Sequence, residues 1–275
     1  MRKTFYELLD NAGIDAFDEY SRLNDLFFAE KIDTPIGHCP MQFYINEKYF
    51  RNFKFRGTYT DISEMIDDII PDIKTLDDLF VYCEFLLAVL FDSNVMHDGY
   101  IDEQAKTIAE NIITIMEKTN HELFNKGTED KPEYIIVEKN KATTMAAEIV
   151  DDKAVSIDLI EYNRYSLKGN LEAKRRLLDA IGHYIEPILR AHTLKNNGYA
   201  QLESDAGFLL NNFHIRHNNK EGRKAQDYIA QINDDTLEEW YDKTYSILLS
   251  VIIINDQMCV TSELAALKRE YKWRT

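Results

Sequence analysis

Ten glycines and five prolines are few for 275 residues. That scarcity argues against a turn-rich β-sandwich or barrel and favours helices. Glycine is also missing where nucleotide chemistry needs it: there is no GxxxxGK[ST] loop and no GxGxxG after a strand. The chain has no GxSxG nucleophile elbow and no HExxH zinc-hydrolase pattern. No cofactor and no metal site are therefore expected. The opening MRKTFYELLDNAG lacks the uninterrupted apolar stretch of a signal peptide. The longest strongly apolar run, Tyr245–Asn255, falls well short of the roughly 20 residues that span a bilayer. It reads as a buried core helix, and no membrane contact is expected. Only three cysteines occur, Cys39, Cys83 and Cys259, with no CxxC pair and with apolar neighbours. They read as buried free thiols of a reducing cytoplasm.

Apolar residues make up 45% and charged residues 29% of the chain, enough to bury a sizeable core and too apolar for wholesale disorder. At about 150 residues per domain, the length fits one large domain or two small ones. The net charge of −16 is uneven: residues 1–130 hold 12 Lys+Arg against 26 Asp+Glu, and residues 131–275 hold 20 against 22. Such acidity discourages general nucleic-acid binding, but the second half is free to carry a local basic surface. The polar segment Asn125–Pro132 lies where the charge balance changes and marks the expected boundary between an acidic domain, 1–130, and a second domain, 131–275.

Apolar spacing predicts helices over about 3–29, Asp61–Ile70, Thr75–Phe91 and Asp102–Phe124. Partial alternation in the aromatic segment Met41–Tyr59 predicts irregular structure with one or two short strands, and Tyr134–Val137 is a further short β-prone run. Beyond Ala154 the helical pattern returns over about 155–167, 170–195, 204–218, 235–254 and 261–272. Ser204 or Asp205 is the expected cap of the third of these, and Thr236 with Glu239 of the fourth. The fold class is thus mainly α, a helical bundle with few strands.

Acidic residues between Asp61 and Asp78 read as a solvated face, and the His97-Asp98 pair as a helix connector. The chemically suggestive segment is Ser204–Lys224, SDAGFLLNNFHIRHNNKEGRK. On a helix, Asn212 and Arg216 share a face, and Asn211, Asn212, His214, Arg216, His217, Asn218 and Asn219 form a dense polar end. An arginine beside a histidine suits phosphodiester cleavage without a metal: the guanidinium stabilises the charged transition state, and the imidazole moves a proton. Arg216, His217, His214, Asn212 and Asn218 are the candidate catalytic residues. From Arg190 to Lys224 there are six Lys+Arg and three Asp+Glu, the sign an RNA-facing patch requires, with Lys220 and Arg223 as candidate RNA contacts. The alternative is that these side chains cap a helix and bridge to its neighbours.

A helical second half whose late helix ends Asn-x-x-x-Arg-His-Asn-Asn resembles the HEPN superfamily and the C-terminal domain of bacterial abortive-infection proteins. Glu172–Leu194, Asn212–Asn219 and Trp240–Asn255 carry the resemblance, which covers about residues 150–260. It implies a helical bundle that works as a homodimer in phage defence or a toxin system, as a metal-independent ribonuclease or as a non-catalytic sensor that holds RNA, a phage protein or a partner protein. The family's pattern sets a histidine four to six residues after the arginine. No histidine follows His217, and Arg176 with His183 has the separation but is followed by Leu177.

A second candidate is Lys48–Tyr59, KYFRNFKFRGTY, in which Lys48, Arg51, Lys54 and Arg56 alternate with aromatics and no acid intervenes. Cations interleaved with rings suit single-stranded nucleic acid. The alternative is that the rings are core and the cations meet nearby acids.

Overall fold

The computed structural model describes residues 13–92, 95, 98–128, 131–217, 219 and 227–271. The protein is mainly helical, with two short antiparallel hairpins among the described residues. It divides into two compact units, Met1–Lys139 and Asn140–Thr275.

In the first unit, α1 (Ala16–Asn24) starts where Asp15 accepts the amide protons of Phe17 and Asp18 and ends in a π-helical turn, Asp25–Ala29. The helix expected from residue 3 is therefore seen from Ala16 onward, and residues 1–12 lie outside the described ones. Strands β1 (Lys31–Thr34) and β2 (Gly37–Pro40) pair with Ile32 opposite Cys39. Gly37, at φ 119°, turns the hairpin with a backbone that side chains rarely adopt. These strands precede Met41–Tyr59, where alternation placed them. That segment opens instead with helix α2 (Met41–Lys48). Met41, Phe43, Tyr44 and Ile45 fit both periods, and burial selects the helical set Met41, Tyr44 and Ile45, leaving Phe43 exposed.

Helix α3 (Ile62–Ile69) is capped by Asp61, as expected, but Glu64 reaches back to the Thr60 N–H and not to that of Asp61. Helix α4 (Leu76–Asp92) follows a reciprocal capping box, in which Thr75 and Asp78 each accept the other's amide proton. Helix α5 (Asp102–Lys118) stops short of Phe124. Asn120 takes a left-handed φ of 60°, which asparagine tolerates, and the chain continues as β3 (His121–Asn125). This strand pairs with β4 (Tyr134–Glu138), Leu123 opposite Ile136. The segment 125–132 joins two strands of one hairpin, and the units divide after Lys139.

The second unit holds α6 (Lys141–Ile149), α7 (Lys153–Glu161), α8 (Leu171–Arg190), the short α9 (Thr193–Asn196), α10 (Ala200–Asn212), α11 (Asp227–Gln231) and α12 (Asp234–Glu270). Asn140, Asp152, Asn170 and Asn233 start α6, α7, α8 and α12 with side-chain caps. Asn233, not the expected Thr236, caps α12 and accepts the Thr236 N–H. Helix α10 begins at Ala200, ahead of both Ser204 and Asp205. The expected helix 235–254 and the expected segment from 261 onward form one helix as far as Glu270, because nothing between them, neither Gly nor Pro, breaks it; residue 272 lies outside the described residues. Among the described residues α12 is the one helix long and apolar enough to cross a membrane. Its first half packs with α8 and α10 around Leu178, Ile181, Leu210, Tyr241 and Leu248. Of the cysteines, Cys83 is buried, Cys39 half-buried and Cys259 exposed, so burial of all three is corrected.

Polar groups tie these helices together. The buried ammonium of Lys174 on α8 lies 2.9 Å from Glu238 and 2.7 Å from Asp242 on α12. Tyr162 donates to Asp242 at 3.0 Å, and its ring stacks on Tyr245 at 4.1 Å. The Tyr245 hydroxyl donates to the Leu159 carbonyl at 2.6 Å, so it accepts from Thr143 and Asn163. Trp240 packs against Phe213 in this unit at 4.9 Å, and the other tryptophan also lies beyond Lys139 in the sequence, so fluorescence follows the unfolding of this unit. Lys174→Met strands two carboxylates, one of them half exposed, and is expected to cost about 2–3 kcal/mol. The check is the urea midpoint by tryptophan fluorescence; an unchanged midpoint would show that the cluster contributes nothing.

Candidate functional site

Helix α10 ends at Asn212 because the chain leaves helical geometry at Phe213 (φ −102°, ψ 39°) and turns left-handed at His214 (φ 59°). Asn212 and Arg216 therefore do not share a helix face, contrary to expectation. Asn212 donates to the Phe208 carbonyl at 2.8 Å. His214 and Asn219 brace the turn reciprocally: the Asn219 side chain accepts the His214 N–H at 3.0 Å, and Nδ1 of His214 accepts the Asn219 N–H at 3.2 Å. Nδ1 is thus the acceptor nitrogen, and a neutral His214 carries its proton on Nε2. His217 is half-buried, with no hydrogen-bond partner among the described residues. Asn218, Lys220 and Arg223 lie outside the described residues.

Arg216 turns inward. Its Nη2 donates to the Gly182 carbonyl of α8 at 2.6 Å and lies 3.6 Å from the Glu186 carboxylate, with the side chain 14% exposed. Its Nε is buried, with no hydrogen-bond partner among the described residues. The backbone N–H of Arg216 closes on the Leu210 carbonyl at 3.1 Å. Gly182 permits this approach: a Cβ there would sit 2.7 Å from Leu210 Cδ2 and 3.5 Å from Arg216 Nη2. A second latch comes from Arg175, which donates to the Ile215 carbonyl at 3.1 Å and forks onto Glu172.

The outer face of α8 continues this surface. Glu186 accepts from Arg190 at 2.5 Å, and that bond first, then the Arg216 charge, holds its carboxyl below the usual range. Nδ1 of His183 lies 2.8 Å from the Asp179 carbonyl. A carbonyl only accepts, so Nδ1 carries a proton, and in the neutral ring Nε2 is the acceptor nitrogen. Arg176 is engaged by Glu172 at 3.1 Å. Glu186 and Arg190 went unnoticed in the sequence; the available signal was the run Glu172, Arg176, Asp179, His183, Glu186, Arg190 at helical steps of three and four. Beside the turn, Asp205, Phe208, Leu209, Phe213, Trp240 and Ile247 line a half-open cleft of about 320 Å³, with Phe213 and Trp240 in ring contact at 4.9 Å.

In the first unit the basic segment is largely spent on its own fold. Lys48 lies 2.7 Å from Asp98, which also accepts from Tyr44 at 3.0 Å and Tyr49 at 2.5 Å, all on Oδ2. The Tyr100 N–H binds the other oxygen at 3.1 Å. Arg56 donates to the Tyr59 carbonyl at 3.0 Å, and Lys54 sits 4.5 Å over the Phe55 ring. Arg51 is exposed. Phe50 and Phe53 are buried, and Phe55 is 44% exposed, so the row of stacking faces is not presented. Asp98 is the residue that sequence reasoning undervalued, as a helix connector.

Among the described residues no group of three or more His, Cys, Asp or Glu is placed to hold a metal ion. No family profile matches the chain, and the comparisons with curated proteins and with solved structures found no match.

Burial pushes the Asp98 carboxyl up, but the hydrogen bonds from Lys48, Tyr49, Tyr100 and Tyr44 outweigh it and hold the group at about 2, against an ordinary 3.8. A carboxyl depressed by folding adds stability above its unfolded value and loses it as pH falls through the folded value. Asp98→Asn is therefore expected to weaken the first unit at neutral pH and to flatten its loss of stability between about pH 4 and 2. Hydrogen exchange over residues 13–139 measures both; equal pH slopes in the two proteins would refute the assignment.

Proposed function

We propose that this chain is a non-catalytic interaction protein, and that the segment from Asn212 to Asn219 is a structural turn that presents the outer face of α8 and the adjoining aromatic cleft. The observation that carries this reading is the position of Arg216. A guanidinium that stabilises a phosphorane-like transition state must be free to meet it. Arg216 is committed to the Gly182 carbonyl and faces Glu186. His214 is likewise held in its turn by Asn219, and no histidine follows His217.

The setting, phage defence or a toxin–antitoxin system, rests on the resemblance of residues 150–260 to the HEPN superfamily. In that setting the ligand is a phage protein, a partner toxin or an RNA. A second reading, the metal-independent ribonuclease, has one specific support. His183 is exposed with Nε2 free, one turn from the Glu186 that Arg216 and Arg190 address. An acid–base group thus lies one turn of α8 from a carboxylate that two guanidiniums reach.

Incubation of the purified chain with RNA in excess EDTA separates the two. The expected result is no cleavage by the wild type, while Arg216→Ala lowers the stability of the second unit by about 2 kcal/mol, the loss of a charged hydrogen bond, seen by tryptophan fluorescence. Cleavage by the wild type that disappears in His183→Ala, an exposed and structurally mild change, would overturn the proposal in favour of the nuclease.

A further inference from the structure

The second half of α12 leaves the core and carries an apolar stripe that its own unit does not cover. Val260 is 56% exposed, Leu264 47%, Leu267 49% and Tyr271 64%. With exposed Gln257 and with Ile253, which still packs against the core, these positions follow alternating steps of four and three: 253, 257, 260, 264, 267, 271. That is the a/d spacing of a heptad seam, with Gln257, Leu264 and Tyr271 at a and Ile253, Val260 and Leu267 at d. The residues α12 buries in the core, Leu237, Tyr241, Leu248 and Ile252, lie on a different face. At about 100° per residue the exposed stripe is turned from them by roughly a third of a revolution. The helix therefore buries one face in the core and, further along, leaves a second face exposed.

We propose that this seam binds a second copy of the chain as a parallel two-stranded coiled coil. Charge placement selects both partner and direction. Asp256, Glu263 and Glu270 all fall at g, and Lys268 falls at e. In a parallel pair, Glu263 of each copy meets Lys268 of the other, a favourable g–e′ contact made twice. An antiparallel pair sets the acidic g positions against one another, which is repulsive. Gln257, polar at an a position, lies opposite its own counterpart in the parallel register and bonds to it amide to amide, the kind of contact that fixes register and strand number. Two to three heptads are marginal as an isolated peptide because helix nucleation is costly. Here the helix is already built, since its first half is locked in the core, so association does not bear that cost. This inference is independent of the interaction-protein reading and of any ligand on α8.

Sedimentation velocity of the full chain over a range of concentrations tests it, with tryptophan fluorescence confirming that each variant keeps its unfolding midpoint. A concentration-dependent dimer is expected for the wild type and a monomer for Leu264→Asp/Leu267→Asp, both exposed sites. Glu263→Lys is expected to weaken the dimer several-fold and Glu263→Lys/Lys268→Glu to restore it. Strengthening by Glu263→Lys alone would overturn the parallel arrangement. A wild type that stays monomeric, or a dimer indifferent to Leu264→Asp/Leu267→Asp, would overturn the seam as a self-association surface. So would a monomer that floats with phosphatidylcholine vesicles only when Leu264 and Leu267 are intact, which would assign the stripe to lipid.

Discussion

An ammonium group removed from water has to be met by anions in place, and Lys174 imposes that condition on the second unit. Its two carboxylate partners lie on the opening turns of α12, so α8 and α12 have one register in which the charge is satisfied. Glu238 does more than neutralise. Burial works against its charged form, but the Lys174 bond and the Gly169 N–H hold its carboxyl below the usual range. The same carboxylate thereby fixes the approach to α8. With α8 so placed, Gly182 faces Leu210 and Arg216, and the turn after α10 is held against it.

The first unit uses the same device with the sign reversed. Asp98 is the buried charge, and two tyrosines and a lysine converge on one of its oxygens. In both units, polar residues that look available for chemistry in the linear chain are partly consumed as struts. Lys48 is drawn out of a basic, aromatic run, and Arg216 out of a run of Asn and His. The outer face of α8, where His183, Glu186 and Arg190 gather, is built from residues that are individually unremarkable in sequence.

The helical class, most helix positions and the Asp61 and Thr75 starts were legible because they depend on short-range rules: apolar spacing and a capping side chain within three residues. Most of the errors fall where the deciding partner is distant. The period of Met41–Ile45 is ambiguous by itself, and burial resolves it. Phe124 continues an apolar pattern from α5, yet Asn120 and the pairing with Ile135 make it a strand residue. Asn212 and Arg216 have helical spacing, but the carbonyl of Gly182, 34 positions earlier, determines where the guanidinium goes. No local rule reports that contact. Thr236 had the right composition for a cap, and Asn233 had the right position.

The continuity of α12 also fixes a length. From Met258, the last side chain of α12 packed against the core among the described residues, to Glu270 the helix runs 12 residues further, about 18 Å of rigid rise. Such a rod is a spacer as much as a surface. Whatever grips its far end is kept about that distance from the core of the second unit.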